Sequence, residues 1–256
     1  MNLIEHPPVM ITAAGEGSRI RDFMSQDLSL PSDFPKHLLP TGGPNGETLL
    51  GRIIRQASID PISKPPIINV TETNRQHMRV HPDIANVVYD TEQFKFSLDP
   101  IYYRLRRMGG RVLGCAGDFY SDFSWDTFIK QHEANGSAMS VLVNKAAGPV
   151  EAAVFDVDPL TNRVTGLKRP KCSGERDYTN VGAYVIDPTD ELIDILERFL
   201  PANPRETHDT DTVFIEIMNA GLVGSVLLAG AHFNINTPKE FEALQAHTSS
   251  VGARAS

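Results

Sequence analysis

Arg19 and Lys36 are the two residues near the start of the chain whose settings suit chemistry on an anion. Arg19 closes the segment Ala13-Ala14-Gly15-Glu16-Gly17-Ser18-Arg19, which ends an apolar run beginning at Val9. Glycines let successive backbone N–H groups turn toward one anion, and a guanidinium beside them reaches phosphate oxygens. The spelling is not the dinucleotide pattern Gly-x-Gly-x-x-Gly, because Ile20 takes the place of the third glycine, and no Walker A sequence occurs. Lys36 lies in Phe34-Pro35-Lys36-His37-Leu38-Leu39-Pro40, where a proline on either side stiffens the loop that presents the ammonium. Each signal alone has an ordinary explanation: paired glycines serve a tight turn, and a lysine among prolines is commonly a solvated surface residue.

Asp118 follows Gly117 at the close of another apolar run. That is the carboxyl end of an expected strand, where ligands of open α/β sheets collect, though an aspartate there also serves as a turn cap. Asp122 and Asp126 suit the start of a helix at Ser124 better than a metal, and Cys115 reads as a core thiol. Arg163, Lys168, Arg169, Lys171 and Arg176 form a basic stretch in an otherwise acidic chain, either a solvated loop or a docking place for a phosphate.

Such residues need a scaffold, and short apolar runs alternating with helical patterns supply one of the α/β class with a mostly parallel sheet. Strands are expected over residues 9–14, 67–70, 86–89, 111–116 and 138–143, with helices over 48–57, 98–108 and 124–133. From 151 to 186 the texture turns β-rich, with runs at 152–157, 164–167 and 181–186. Helices over 190–200 and 210–220, a strand over 225–228 and a helix from Pro238 follow. The organisation reads as a single domain over 1–247 with a β-rich part at 148–188, and the small polar residues of 248–256 read as a frayed tail.

With 256 residues, 41% of them hydrophobic, the chain can bury a sizeable core. A net charge of −8 excludes a broad nucleic-acid surface, so any anionic ligand must be met by a few local cations. Two cysteines, Cys115 and Cys172, make no disulfide framework. No run approaches the roughly 18 apolar residues of a membrane span, and MNLIEHPPVM has no leader-like character, so a cytoplasmic protein away from membranes is expected. A homo-oligomer is compatible with the sequence.

The glycine loop with Arg19, then Pro35-Lys36, Leu39-Pro40 and Gly42-Gly43, resemble in order the signature of the sugar-1-phosphate nucleotidyltransferases. The resemblance continues. Gly117-Asp118-Phe119-Tyr120-Ser121-Asp122-Phe123 looks like the family's Gly-Asp segment, followed by a helix ending in a histidine, here His132. Leu167-Lys168-Arg169-Pro170 stands where Glu-Lys-Pro is common, and Asn180-Val181-Gly182-Ala183-Tyr184 is similar to an Asn-x-Gly-x-Tyr strand. His232-Phe233-Asn234-Ile235-Asn236-Thr237-Pro238 looks like the closing Trp-Phe-Asp-x-Asn-Thr-Pro, so the motifs extend over residues 9 to 245.

The resemblance implies a three-layer, Rossmann-like (GT-A-like) fold and an Mg²⁺-dependent enzyme. In that family a sugar 1-phosphate attacks the α-phosphorus of a nucleoside triphosphate, giving an NDP-sugar and pyrophosphate. By the same resemblance the backbone of Ala13, Ala14, Gly15, Glu16, Gly17 and Ser18 would hold the nucleotide. Arg19 would bind the departing phosphates and Lys36 would steady the α-phosphate. Lys168, Arg169, Asn180 and Gly182 would meet a small phosphorylated acceptor, and Asp118 with Asn234 would hold the metal. Three departures stand out. Asn234 replaces the usual second aspartate, Lys168-Arg169 replaces Glu-Lys, and residues 91–98 lack the Gly-Thr-rich stretch that helps read the base. A cyclitol or other sugar-like phosphate is therefore an alternative acceptor. Asn234 leaves room for an impaired, nucleotide-binding regulatory homologue. A GT-A-type glycosyltransferase would need an Asp-x-Asp after the strand; Gly117-Asp118-Phe119-Tyr120 lacks it, and Asp209-Thr210-Asp211 sits where a helix begins.

Overall fold

The computed structural model describes residues 7–15, 17–42, 46–59, 64–94, 98–145, 154–168, 177–206 and 210–255. Along the chain lie β1 (Val9–Thr12), α1 (Arg21–Gln26), α2 (Leu49–Ile59), β2 (Ile67–Asn69), α3 (Glu72–Arg79), β3 (Val88–Asp90), α4 (Asp99–Met108) and β4 (Val112–Ala116). They are followed by β5 (Phe119–Ser121), α5 (Trp125–Asn135), β6 (Met139–Lys145), β7 (Val154–Val157), β8 (Val164–Lys168) and β9 (Asp177–Ile186). The last are α6 (Asp190–Phe199), α7 (Thr210–Asn219), β10 (Val223–Leu227), β11 (His232–Asn234) and α8 (Pro238–Ala255). The α/β class and mostly parallel sheet expected from the sequence are present.

The chain gathers into two compact units, Met1–Glu92 with Ala116–Asp122 and Ala231–Ser256, and Gln93–Cys115 with Phe123–Gly230. In the first, β1, β2 and β3 pair in parallel, Ile11 beside Ile68 and Ile68 beside Tyr89. α2 buries Leu49, Leu50, Ile53 and Ala57 along one stripe. The polar helix α3 carries no such stripe; it starts at Thr71, whose hydroxyl accepts from the Asn74 N–H. β5 and β11 form a short antiparallel ribbon, with Asn234 opposite Phe119. Around it Ile20, Met24, Leu39, Leu49, Ile235, Phe241 and Leu244 close a core of their own.

In the second unit β10 runs parallel to β6, while β9 is antiparallel to both β6 and β4. The β7–β8 hairpin pairs with β9 through β7, opposite β6 at Tyr178 and Thr179, and forms the β-rich part. Gly114 of β4 is needed where α4 crosses, since a Cβ there would stand 2.3 Å from Ile101 Cδ1. Cys115 is buried and outside any disulfide; Cys172 lies outside the described residues.

α8 continues through the last turn to Ala255, and Thr248 is buried with its hydroxyl donating to the Thr41 carbonyl at 2.8 Å. Among the described residues no helix is long and apolar enough to cross a membrane.

Candidate active site

Lys36 opens a 3-10 turn, Lys36–Leu38, which Pro35 enters in extended conformation. The backbone of Gly17 passes over the lysine stem. Its φ is +64°, and an added Cβ would meet Lys36 Cγ and Cδ at 3.4 Å, so glycine serves both the conformation and the approach. The Lys36 ammonium has three donors and finds three acceptors: Asp118 Oδ2 at 2.5 Å, Asn236 Oδ1 at 2.9 Å and the Ile235 carbonyl at 3.3 Å. Arg19, exposed, donates from Nη2 to the same Asn236 Oδ1 at 3.1 Å.

Asp118 is delivered by the chain reversal between β4 and β5. The Gly117 N–H donates to the Thr12 carbonyl at the end of β1, and an added Cβ at Gly117 would come within 3.1–3.2 Å of Ala13, His37 and Thr12. The Ile235 N–H donates to the Asp118 carbonyl, which ties the ribbon to the same point. Burial pushes the Asp118 carboxyl up, but the charges of Lys36 and His37 outweigh it and leave the group below its ordinary value. His37 lies behind this pair, 1% exposed, and its burial pulls the imidazole down to about 4 against the opposing pull of Asp118. It is therefore neutral at physiological pH. His232 is held at about 4 by burial in the same way. Lys36 and Arg19, which share the Asn236 amide oxygen, are the charges here suited to an anion.

Asn236 is fixed from the C-terminal side. Glu240 Oε2 accepts from the N–H groups of Asn236 at 2.9 Å and Thr237 at 2.8 Å, while the Thr237 hydroxyl accepts from the Glu240 N–H. This is a capping box opening α8, with Pro238 in its first turn.

The geometry thus brings together Arg19, Gly17, Lys36 and Asp118, with Asn234 one strand position from Asp118 across the ribbon. Ala13 is committed elsewhere. Its N–H donates to the Asn69 carbonyl and its carbonyl accepts from the Asn74 amide, so it fixes the end of β1. Ala14 is half-buried, whereas Gly15 and Ser18 are exposed, and Glu16 lies outside the described residues. In the second unit Lys168 ends β8 opposite Val154, and Arg169 lies outside the described residues. Asn180 accepts the Gly182 N–H at 2.9 Å and donates to the Tyr184 hydroxyl at 2.7 Å. These bonds bridge the irregular stretch of β9 where the pairing jumps from Val141–Tyr184 to Val143–Asn180.

Among the described residues no three His, Cys, Asp or Glu side chains gather into a metal cage. Asp118 and Asn234 supply one carboxylate and one amide, a donor set suited to an ion that keeps waters and takes its remaining oxygens from phosphates. Reasoning from the sequence did not single out Asn236. The spelling Asn236-Thr237-Pro238-Lys239-Glu240, a capping box with a polar residue just before it, is the signal that marks its backbone as fixed.

The fold is that of the sugar-1-phosphate nucleotidyltransferases, and the chain resembles them in sequence as well. No protein-family model matches the sequence. A protein of Arabidopsis thaliana assigned as mannose-1-phosphate guanylyltransferase 2 is 26% identical over 125 residues, 48% of this chain. The match takes in 32% of that relative, so the similarity spans about a third of its length. Among solved structures, a Bacillus anthracis protein assigned as a glucose-1-phosphate thymidylyltransferase, in complex with a sucrose, superposes with a TM-score of 0.71. It is 14% identical, over 94% of both chains. HddC from Yersinia pseudotuberculosis gives 0.64 at 14% identity, over 94% of this chain and 99% of that one.

Proposed function

We propose that the protein is a nucleotidyltransferase that couples a nucleoside triphosphate to a sugar 1-phosphate, or to a sugar-like phosphate such as a cyclitol phosphate, and releases pyrophosphate. The observation that carries this reading is the meeting of Arg19, Lys36 and Asp118 around Asn236 beside the end of β1. An acceptor phosphate is already largely a dianion at neutral pH, its second pKa being about 6. Its oxygen therefore attacks the α-phosphorus with no general base, and His37 and His232, held at about 4 by burial, are too weakly basic to serve as one. The P–O bond to the β-phosphate breaks as the new one forms, and the charge leaves on pyrophosphate. The protein's work is positioning and charge neutralisation.

In this reading Lys36 exchanges one of its three acceptors for an α-phosphate oxygen, and Arg19 neutralises the departing phosphates. The backbone of residues 14–18 lies along the nucleotide. Lys168, Arg169, Asn180 and Gly182 are proposed to meet the acceptor. Asp118, with Asn234, would hold Mg²⁺, which when bound would offset the negative charge of the triphosphate. The glycosyltransferase reading is disfavoured because Tyr120 takes the place of the second aspartate and packs under the Arg52 guanidinium, 4.2 Å from the ring centre.

The test is pyrophosphate release with Mg²⁺ over CTP, UTP, dTTP, GTP and ATP, each against a panel of sugar and sugar-like phosphates, with products read by mass. Release with one pair, reduced about 10²–10³-fold in Arg19→Ala, is expected. Nucleotide binding without turnover, with turnover regained in Asn234→Asp, would instead assign an impaired regulatory homologue. Absence of nucleotide binding would overturn the whole reading.

A further inference from the structure

The geometry points to Asn236 as a positioning residue that couples Arg19 and Lys36 into one phosphate-binding unit, resting on the triphosphate reading given above. Its Oδ1 accepts from Lys36 Nζ at 2.9 Å and from Arg19 Nη2 at 3.1 Å, although the two cations come from separate loops some 200 residues earlier in the chain. An amide oxygen is suited to this. It has two lone pairs and no net charge, so it orients both donors while leaving their charge available to a ligand. A carboxylate at the same place would make two charge-assisted bonds and neutralise one cation, turning a presenting contact into a competing one.

Two further features fit this role. Asn236 does not depend on its side chain to stay in place, because Glu240 Oε2 holds its main-chain N–H and that of Thr237 at 2.9 and 2.8 Å. The cap of α8 therefore fixes the amide independently of the cations. The buried Lys36 ammonium, with Asp118 and the Ile235 carbonyl as its other acceptors, is the stationary member, and the exposed Arg19 is the member that Asn236 restrains. Losing Asn236 frees Arg19 while leaving the ion pair between Lys36 and Asp118.

Inorganic tripolyphosphate is the probe, because it carries the phosphates without the base. Its binding is measured by calorimetry for the wild-type protein, Asn236→Ala, Asn236→Asp, Arg19→Gln and the Arg19→Gln/Asn236→Ala double variant, with thermal melts of each. Asn236→Ala and Arg19→Gln should each weaken binding by about tenfold, the size of one charge-assisted hydrogen bond. The double variant should be no weaker than the worse single one, because both remove the same arrangement. Asn236→Asp should bind more weakly than Asn236→Ala while melting at least as high, a divergence that a merely structural role would not produce. Wild-type binding with full additivity in the double variant, or with Asn236→Asp binding as tightly as the wild type, overturns the coupling alone. A wild-type protein that binds neither tripolyphosphate nor any nucleoside triphosphate overturns the functional reading and this inference with it.

Discussion

The ion pair between Lys36 and Asp118 joins side chains that are only 7% and 20% exposed, so its stability and its chemistry are hard to separate. Two charges removed from water are tolerated only while each satisfies the other. Asp118→Asn keeps the size of the side chain and removes the charge, leaving Lys36 with neutral acceptors alone. The expected result is a loss of about 3 kcal/mol in urea unfolding, the cost of breaking a buried pair from one side. Asp118→Asn should lose turnover as well, while Arg19→Ala, which touches an exposed cation, should lose turnover with little change in unfolding. Equal stability in the two variants would mean that water reaches the pair freely. The contrast distinguishes a residue whose charge both folds and functions from one whose charge faces the ligand alone.

At the scale of elements, the second unit is held at one end by a polar junction. Asp187, just past β9, takes two bonds from Arg111, Nε to Oδ1 at 2.6 Å and Nη2 to Oδ2 at 2.9 Å, and one contact from His132 Nε2 at 3.0 Å. The other nitrogen of that imidazole meets the Ser140 hydroxyl at 2.8 Å, so the junction links α5, β6 and the approach to β4. Burial alone would push the Asp187 carboxyl up; the Arg111 and His132 hydrogen bonds overcome it and hold the group well below its ordinary 3.8. A folded-state value below the unfolded one gives stability that is complete above about pH 4 and is lost as the pH falls below it. The stability difference between wild type and Asp187→Asn should therefore be largest near neutrality and shrink steadily below pH 4, as followed by urea titration. A difference independent of pH would assign the junction's strength to packing.

The same elements show what sequence reasoning reaches. α2, α4 and α5 and the strands β1, β4, β6 and β10 were legible because each carries a stripe or run of apolar residues long enough to show its period. β5 and β11 are short and include the polar residues Ser121, His232 and Asn234, so no apolar run marks them, and α3 spells Glu-Thr-Asn-Arg-Gln-His-Met-Arg with no apolar face. The continuation of α8 past His247 rests on Thr248 reaching Thr41, a contact across the chain that no local pattern encodes. The site divides in the same way. Arg19, Lys36 and Asp118 stand out by residue type and by motif. Asn236 acquires its role only when the fold places its amide between two cations, and His37 only when burial makes it neutral.

For the whole molecule, a net charge of −8 must be reconciled with a ligand that carries several negative charges of its own. At long range the protein repels a nucleotide, and this repulsion is screened by salt within a Debye length of about 10 Å at 0.1 M. At short range the attraction comes from a patch in which Lys36 is buried, and buried pairs are screened far less than exposed ones. Added salt thus relieves the repulsion more than it weakens the contact, and the two trends oppose. Nucleic-acid binders behave differently, losing roughly 0.9 in the logarithm of affinity per contacted phosphate for each decade of salt. Triphosphate affinity measured by calorimetry should accordingly change by less than about tenfold between 50 and 500 mM salt. A steep loss over that range would mean that exposed cations dominate binding, and would shift attention to the basic stretch from Arg163 to Arg176. A shallow response, together with the loss in Arg19→Gln, would place recognition in a few fixed charges that work locally against the field of the molecule that carries them.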